Sequence, residues 1–281
     1  MPELPEVESV RRRIAPAMEG ARFEEVMLRR RDLRIPFPHR FRQRLTGMVV
    51  VSLTRRAKYL VAGLSSGETL IMHLGMSGSF RAEMIGGSHH AADAMQKVAH
   101  ERHDHVLFRM SSGAIVTFND PRRFGLMDLV KAGQLATHPI LSKLGPEPLA
   151  DDFDGAVLAR ACRGKRTALK VTLLDQRVVA GLGNIYASEA LNLAGLSPFR
   201  KAATIATATG RPRPTADCLA AAIKAVLTTA IERVSAGGYR GSRFRVYDRT
   251  GEPCPTARCS GTIRQVTQAG RTTFYCPSCQ R

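Results

Sequence analysis

The sequence predicts an α+β chain: an N-terminal helix, an antiparallel β-sandwich or barrel, a run of helices, and a small C-terminal ribbon pinned by cysteines. Three observations predict it. Apolar residues recur at helical spacing near the N-terminus, and short β-rich runs separated by turn signals follow from about Met48. Helical periodicity then returns behind "LGPEPL" (144–149) and persists until four closely paired cysteines end the chain.

Leu4, Val7, Val10 and Ile14 mark one face of a helix over 3–19, with Glu3, Glu6 and Glu8 early and Arg11–Arg13 later. Both charge placements suit the helix dipole. The β texture consists of "MVVVSLT", "KYLVAGL", "ETLIMHL", "HVLFRM", "AIVTFN" and "GLMDLV", with "SSGE" and "SSGA" as hairpin signals. Residues 81–104, rich in Gly, His and mixed charge, read as a long loop between strands. Helical patterns follow over 151–162, 167–175, 184–194 and 215–234. The boundaries expected are 1–133 for the β domain, 145–236 for the helical domain and 245–281 for the ribbon. Internal repeats and extended low-complexity tracts are absent from the sequence.

Composition narrows the partners. Apolar residues make up 44% and charged residues 23%, as in an ordinary globular protein. Forty-two Lys and Arg against 24 Asp and Glu give a net charge of +18. Such an excess points to a polyanion, and nucleic acid fits better than an acidic membrane because no basic amphipathic anchor is evident. No run of 18 apolar residues and no signal-peptide core occurs in the sequence. The expectation is a cytoplasmic, reducing address with no membrane partner.

Cys162 and Cys218 stand alone, as buried or half-buried thiols do. Cys254, Cys259, Cys276 and Cys279 form C-x4-C-x16-C-x2-C. In a reducing compartment, two close pairs separated by a strand–turn–strand read as a four-thiolate site for one structural zinc rather than as disulfides.

Other segments carry chemistry only in combination. The opening "MPELPEVESV" puts Pro2 behind an initiator Met whose removal is expected before a small residue. The new terminus is then a secondary amine with the Glu3 carboxylate beside it. An α-amine titrates near pH ~8, so a useful fraction is nucleophilic at neutrality. Read alone, Pro2 and Pro5 simply start a helix. "RRAKYL" places Lys58 at a strand start, "MHLGMSG" places His73 and Met76 where a strand enters a turn, and "NDPRRFG" presents Arg122, Arg123 and Phe124. "GLGNIYASEAL" feeds a Gly-rich turn into a helix whose free N–H groups suit a phosphate. Each alone has a structural explanation: a surface lysine, a core histidine, packing, or a tight connection.

Together they resemble the formamidopyrimidine-DNA glycosylase family, which includes endonuclease VIII. The blocks are "PELPEVE", "RRAKYL", "HLGMSG", "HDHV", "DPRRFG", "LGPEPL", "GLGNIYASEAL" and "GEPC…GRTTFYCPSC", in family order from residue 2 to residue 279. The resemblance implies an N-terminal β-sandwich, a helix–two-turn–helix domain and a zinc ribbon. It implies a monomeric bacterial enzyme, associated with the nucleoid, that removes oxidised purines (formamidopyrimidines and 8-oxoguanine) from damaged double-stranded DNA. A neutral amine attacking the sugar gives a Schiff base and β,δ-elimination, whereas a water nucleophile stops at an abasic site. By resemblance, Pro2 is the nucleophile and Glu3 the proton donor. Lys58 serves phosphate binding and β-elimination; Arg271 serves a phosphate contact and δ-elimination. Met76, Arg122 and Phe124 fill the hole left by the flipped nucleotide. His73, Asn184, His103 and Lys165 contact phosphates.

Two features depart from the family pattern. The first knuckle is C-x4-C where C-x2-C is usual, and the segment "SAGGYRGSRFRVYDRTGEPC" before the ribbon is short. A short loop there leaves lesion preference open, with an endonuclease VIII-like taste for oxidised pyrimidines as the nearest alternative. A silent zinc-ribbon protein that only binds damaged DNA is the alternative from another class; the intact set of Pro2, Glu3, Lys58 and Arg271 argues against it.

Overall fold

Helix α1 (Leu4–Met18) forms because its apolar stripe has somewhere to go: Leu4, Ile14 and Met18 are 0% exposed and Val7 is 1% exposed. Glu3 is its N-cap, in a capping box with Glu6, whose carboxylate accepts the Glu3 N–H at 2.7 Å. The computed structural model describes residues 2–84, 101–237 and 244–281. Two compact units result, Met1–Ser142 and Lys143–Arg281.

The first unit is a sandwich of two antiparallel four-stranded sheets. One has the order β1 (Phe23–Leu28), β6 (Asp104–Met110), β7 (Ala114–Asn119), β5 (Ser79–Met84). The other runs β2 (Val50–Arg56), β3 (Tyr59–Leu64), β4 (Thr69–His73), β8 (Leu126–Val130). Alternate residues fill the core between them. Leu60, Ala62, Leu70 and Met72 from one sheet meet Val106, Phe108, Val116 and Phe118 from the other. Helix α1 packs on β2 and β3 of one sheet and on β5 and β7 of the other.

Two strands escape the sequence reading for identifiable reasons. "FEEVML" breaks period-two alternation, but a bulge between Phe23 and Glu25 turns both Phe23 and Val26 inward. β5 carries one large core side chain, Phe80, and yet pairs in register with β7 from Ser79↔Asn119 to Met84↔Ala114. The loop expected over 81–104 is therefore strand up to Met84; residues 85–100 lie outside the described residues. A short helix α2 (Phe41–Leu45) also had no sequence signal.

In the second unit, α3 (Gly155–Cys162) begins later than the pattern suggests, because Asp154 caps it by accepting the Val157 N–H at 2.8 Å. Then come α4 (Leu169–Leu173), α5 (Asn184–Leu193) and α6 (Pro214–Gly237). Helix α6 is long and apolar enough to cross a membrane by length and composition. Here it serves as a core helix, burying Leu219, Ile223, Leu227 and Ile231, with α3 and α5 packed on it. The ribbon hairpin β9 (Arg264–Gln268) and β10 (Arg271–Tyr275) closes the chain, with Val246, Ile263 and Phe274 as its small core.

Candidate active site and metal centre

Strand pairing gathers the candidate residues at one end of the sandwich. Tyr59 pairs with His73, and His73 with Leu126. On the other sheet, Asn119 pairs with both Ser79 and Asp104. The turns 57–58, 74–78, 101–103 and 120–125 therefore emerge together, carrying Lys58, Met76, His103, Arg122 and Phe124. Lys58 sits in the two-residue turn between β2 and β3, not at a strand start, next to Ala57 at φ 54°.

Helix α1 runs against β2 in the opposite direction. Glu19 bridges to Val50, the Arg11 guanidinium donates to the Leu53 carbonyl at 3.2 Å, and Arg55 faces Glu8 at 3.6 Å. From Glu19 to Glu8 the helix climbs about 16 Å, and from Val50 to Arg55 the strand extends about 16 Å, so the two stay level. The N-terminal end of α1, which starts at Leu4 just behind Pro2 and Glu3, therefore faces the end of β2 that leads into the 57–58 turn. Pro2 and the buried Glu3 stand at that same end of the helix.

His73 is half-buried, its ring 4.7 Å from that of Tyr59. Its Nδ1 accepts the Gly75 N–H at 3.0 Å, which assigns the neutral tautomer with its proton on Nε2. Burial first, then the charges of Lys58 and Arg34, push its pKa down to about 4. Beside it, Met76 is 38% and Phe124 42% exposed, large apolar groups held in solvent, and the Arg122 guanidinium lies 5.0 Å over the Phe124 ring. Gly75, at φ +66°, is irreplaceable: a Cβ there would lie 2.3 Å from the Phe124 carbonyl carbon. Asp120 joins these turns, accepting from Ser77 Oγ at 2.6 Å and from the Gly125 N–H at 2.8 Å.

A second group forms within the helical unit. Asn184, in the first turn of α5, donates through Nδ2 to the Thr272 carbonyl at 2.9 Å, which places it one residue from Arg271. Arg271 is exposed, after a tight turn with Ala269 and Gly270 at positive φ. Lys170 is a residue that the sequence reading does not single out. It is 0% exposed, and its ammonium donates to Asn184 Oδ1 at 2.7 Å, Thr273 Oγ1 at 2.7 Å and the Thr272 carbonyl at 3.2 Å. Its signal was a lysine at a core position between Leu169 and Leu173. Lys165 lies exposed between α3 and α4, and no described hydrogen bond joins it to Asn184 or Arg271.

The four ribbon sulfurs lie within 4.8 Å of one another, with Cys254–Cys279 and Cys259–Cys276 each 3.7 Å apart. Thiolates at ~2.3 Å from a tetrahedral zinc stand about 3.8 Å apart, close to the two 3.7 Å pairs here, so the four donors fit the ion. The longer C-x4-C knuckle closes through the Cys259 N–H bond to the Thr256 carbonyl at 3.0 Å and a left-handed Arg258 at φ 62°. Four protein thiolates leave no position for a catalytic water, so the zinc is structural.

Residues 1–127 match the formamidopyrimidine-DNA glycosylase N-terminal domain, residues 144–240 the H2TH domain of the same enzymes, and residues 251–281 the zinc finger found in FPG and IleRS. The chain belongs to the formamidopyrimidine-DNA glycosylase family. It is a DNA-repair glycosylase with one structural zinc. The formamidopyrimidine-DNA glycosylase of Afipia carboxidovorans is 54% identical over 294 residues, covering both chains completely. The structure of MutM in complex with carbocyclic 8-oxo-G containing DNA is 31% identical, at a TM-score of 0.84 and 100% coverage of both chains. The Lactococcus lactis enzyme with FAPY-dG containing DNA is 29% identical at a TM-score of 0.84, covering 99% of this chain and 100% of that one.

Two measurements check the geometry of this glycosylase. His73 should titrate by NMR with a midpoint near 4, against its usual 6.5. Between those values the unfolded chain binds the extra proton, so His73 lowers stability as pH falls from 6.5 towards 4 and has no effect above that window. A midpoint near 6.5 would mean that the ring is solvated and the Gly75 bond broken. Metal analysis should find one zinc per chain. Cys276→Ser should release it and weaken binding to lesion DNA by roughly tenfold, about 1.4 kcal/mol, through loss of the Arg271 hairpin. Unchanged affinity after metal loss would detach the ribbon from DNA binding.

Proposed function

We propose that the chain is a bifunctional glycosylase and abasic-site lyase of base excision repair, removing oxidised purines from damaged double-stranded DNA. It would act as a monomer in the bacterial cytoplasm, at the nucleoid, using a catalytic domain over 1–133, a helix–two-turn–helix domain over 145–236 and a zinc ribbon over 245–281. The observation that supports the reading is the direction of α1, whose N-terminal end faces the end of β2 that leads into the Lys58 turn, together with the exposed Met76 and Phe124 on neighbouring turns.

The damaged nucleotide leaves the stack, and the two apolar side chains with the Arg122 guanidinium occupy the gap. The unprotonated Pro2 nitrogen then bonds to the sugar C1′ as the glycosidic bond breaks and the base departs with a proton. Glu3 supplies the proton that opens the sugar ring, leaving an iminium. The iminium acidifies the C2′ hydrogen, whose loss expels the 3′ phosphate; a further elimination expels the 5′ phosphate. Lys58 binds phosphate and assists the first elimination, and Arg271 the second. His73 offers its Nε2 proton to a phosphate, and Asn184, His103 and Lys165 bind neighbouring phosphates. The neutral His73 suits that role because it donates without charge and keeps the same state across physiological pH.

The structures of relatives with FAPY-dG and 8-oxo-G DNA support the purine class. Within it, the short segment before the ribbon favours formamidopyrimidines. Residues 238–243 of that segment lie outside the described residues, so this ranking rests on the sequence. Single-turnover assays on duplexes carrying either lesion opposite C should leave a gap with phosphate on both flanks. Formamidopyrimidine should be removed faster by roughly tenfold to a few hundredfold, the worth of two or three loop hydrogen bonds. Retention of Met1 moves the amine by one residue and should slow both reactions roughly a hundredfold. Intact abasic product would refute the lyase assignment, and equal or faster removal of 8-oxoguanine the ranking.

A further inference from the structure

We propose that Asp120 is the positioning residue of the DNA wedge, locking the Met76, His103 and Arg122–Phe124 turns into one rigid unit; the inference rests on the wedge assignment above. Asp120 is 0% exposed. Its Oδ1 accepts from Ser77 Oγ at 2.6 Å and from the Arg122 N–H at 3.3 Å, and its Oδ2 accepts from the Gly125 N–H at 2.8 Å. The Arg122 N–H also reaches Ser77 Oγ at 3.2 Å. The peptide group of Asp120 continues the network: its N–H donates to the His103 carbonyl at 3.0 Å, and its carbonyl faces His105 Nε2 at 2.9 Å.

A comparison at the same end of the sandwich shows what is unusual. Asp104, 3% exposed, meets the Arg81 guanidinium fork at 2.8 and 2.6 Å, as a buried carboxylate serving as a brace does. Asp120 has no arginine or lysine salt bridge among the described residues. The three hydrogen bonds its carboxylate accepts come from a hydroxyl and from backbone N–H groups of the turns that carry the exposed Met76 and Phe124. Burying a carboxylate this way is costly unless each acceptor site is filled, so the network fixes the turns as much as the turns fix it. Exposed apolar side chains on mobile turns would collapse onto the surface; on a rigid pair of turns they stay extended and ready to enter a duplex.

The test uses the full-length, zinc-loaded protein and a duplex with 2-aminopurine beside the base opposite the lesion, whose fluorescence reports local unstacking. Asp120→Asn turns one acceptor into a donor, and Ser77→Ala removes the bridge while leaving the buried carboxylate in place. Both should slow the fluorescence rise and excision from the paired lesion by about tenfold, as expected for small misplacements. Cleavage at a preformed abasic site in single-stranded DNA, which needs no extrusion, should change far less. Wild-type fluorescence kinetics in both variants would overturn the proposal, and so would equal losses on both substrates, which mark plain destabilisation. Met76→Ala and Phe124→Ala serve as controls. If they leave the signal unchanged, the wedge assignment itself fails and takes the positioning role with it.

Discussion

Chain termini fray, and a terminal amine can act as a nucleophile only where that freedom is removed. Helix α1 removes it here. Its stripe of Leu4, Val7, Ile14 and Met18 is buried between two sheets, and its polar flank is tied to β2 by Arg11 and Glu8. The Glu3–Glu6 capping box then fixes the last turn before Pro2. Burial of this helix fixes its N-terminal end, and with it the start of the chain that the proposed mechanism uses as an amine. Those turns follow from strand register, since a slip of one residue in β3, β4 or β8 would carry Lys58, His73 and Phe124 to the wrong face.

The ribbon, closed on itself by its four thiolates, is held to the helices by buried polar groups. Glu189 of α5 accepts the backbone N–H groups of Arg245, Val246 and Tyr247 at 2.6, 2.8 and 2.9 Å. Gln280 joins Asn192 at 3.1 Å and the Cys276 N–H at 2.8 Å, so one side chain touches both the helix and a zinc ligand. With Lys170 and Asn184 on β10, these contacts make the position of Arg271 depend on α4 and α5 as well as on zinc. A half-satisfied network of this kind would be unstable; a complete one specifies a single arrangement.

Much of the molecule was legible in the sequence where a physical rule leaves little choice. The stripe of α1, the alternating core strands and the cysteine spacing each restrict the answer, and the ordered motif blocks restrict it further. What escaped depends on tertiary context. β1 needed its bulge to make sense of "FEEVML", and β5 contributes mostly backbone pairing. Lys170 and Asp120 read as surface residue types, and only the fold reveals that both are fully buried and hydrogen-bonded to several partners each. The extra two residues of the first knuckle likewise gave no hint that a left-handed Arg258 would absorb them.

In the proposed mechanism, the anchored N-terminal proline is the attacking group. Borohydride reduces an amine–sugar iminium to a stable bond, so the covalent intermediate can be trapped on lesion-bearing duplex, digested and located by mass spectrometry. A single modified peptide is expected, the N-terminal one, with the deoxyribose remnant on the Pro2 nitrogen. A remnant on Lys58 with Pro2 unmodified, or excision that proceeds with no trappable adduct, would contradict it.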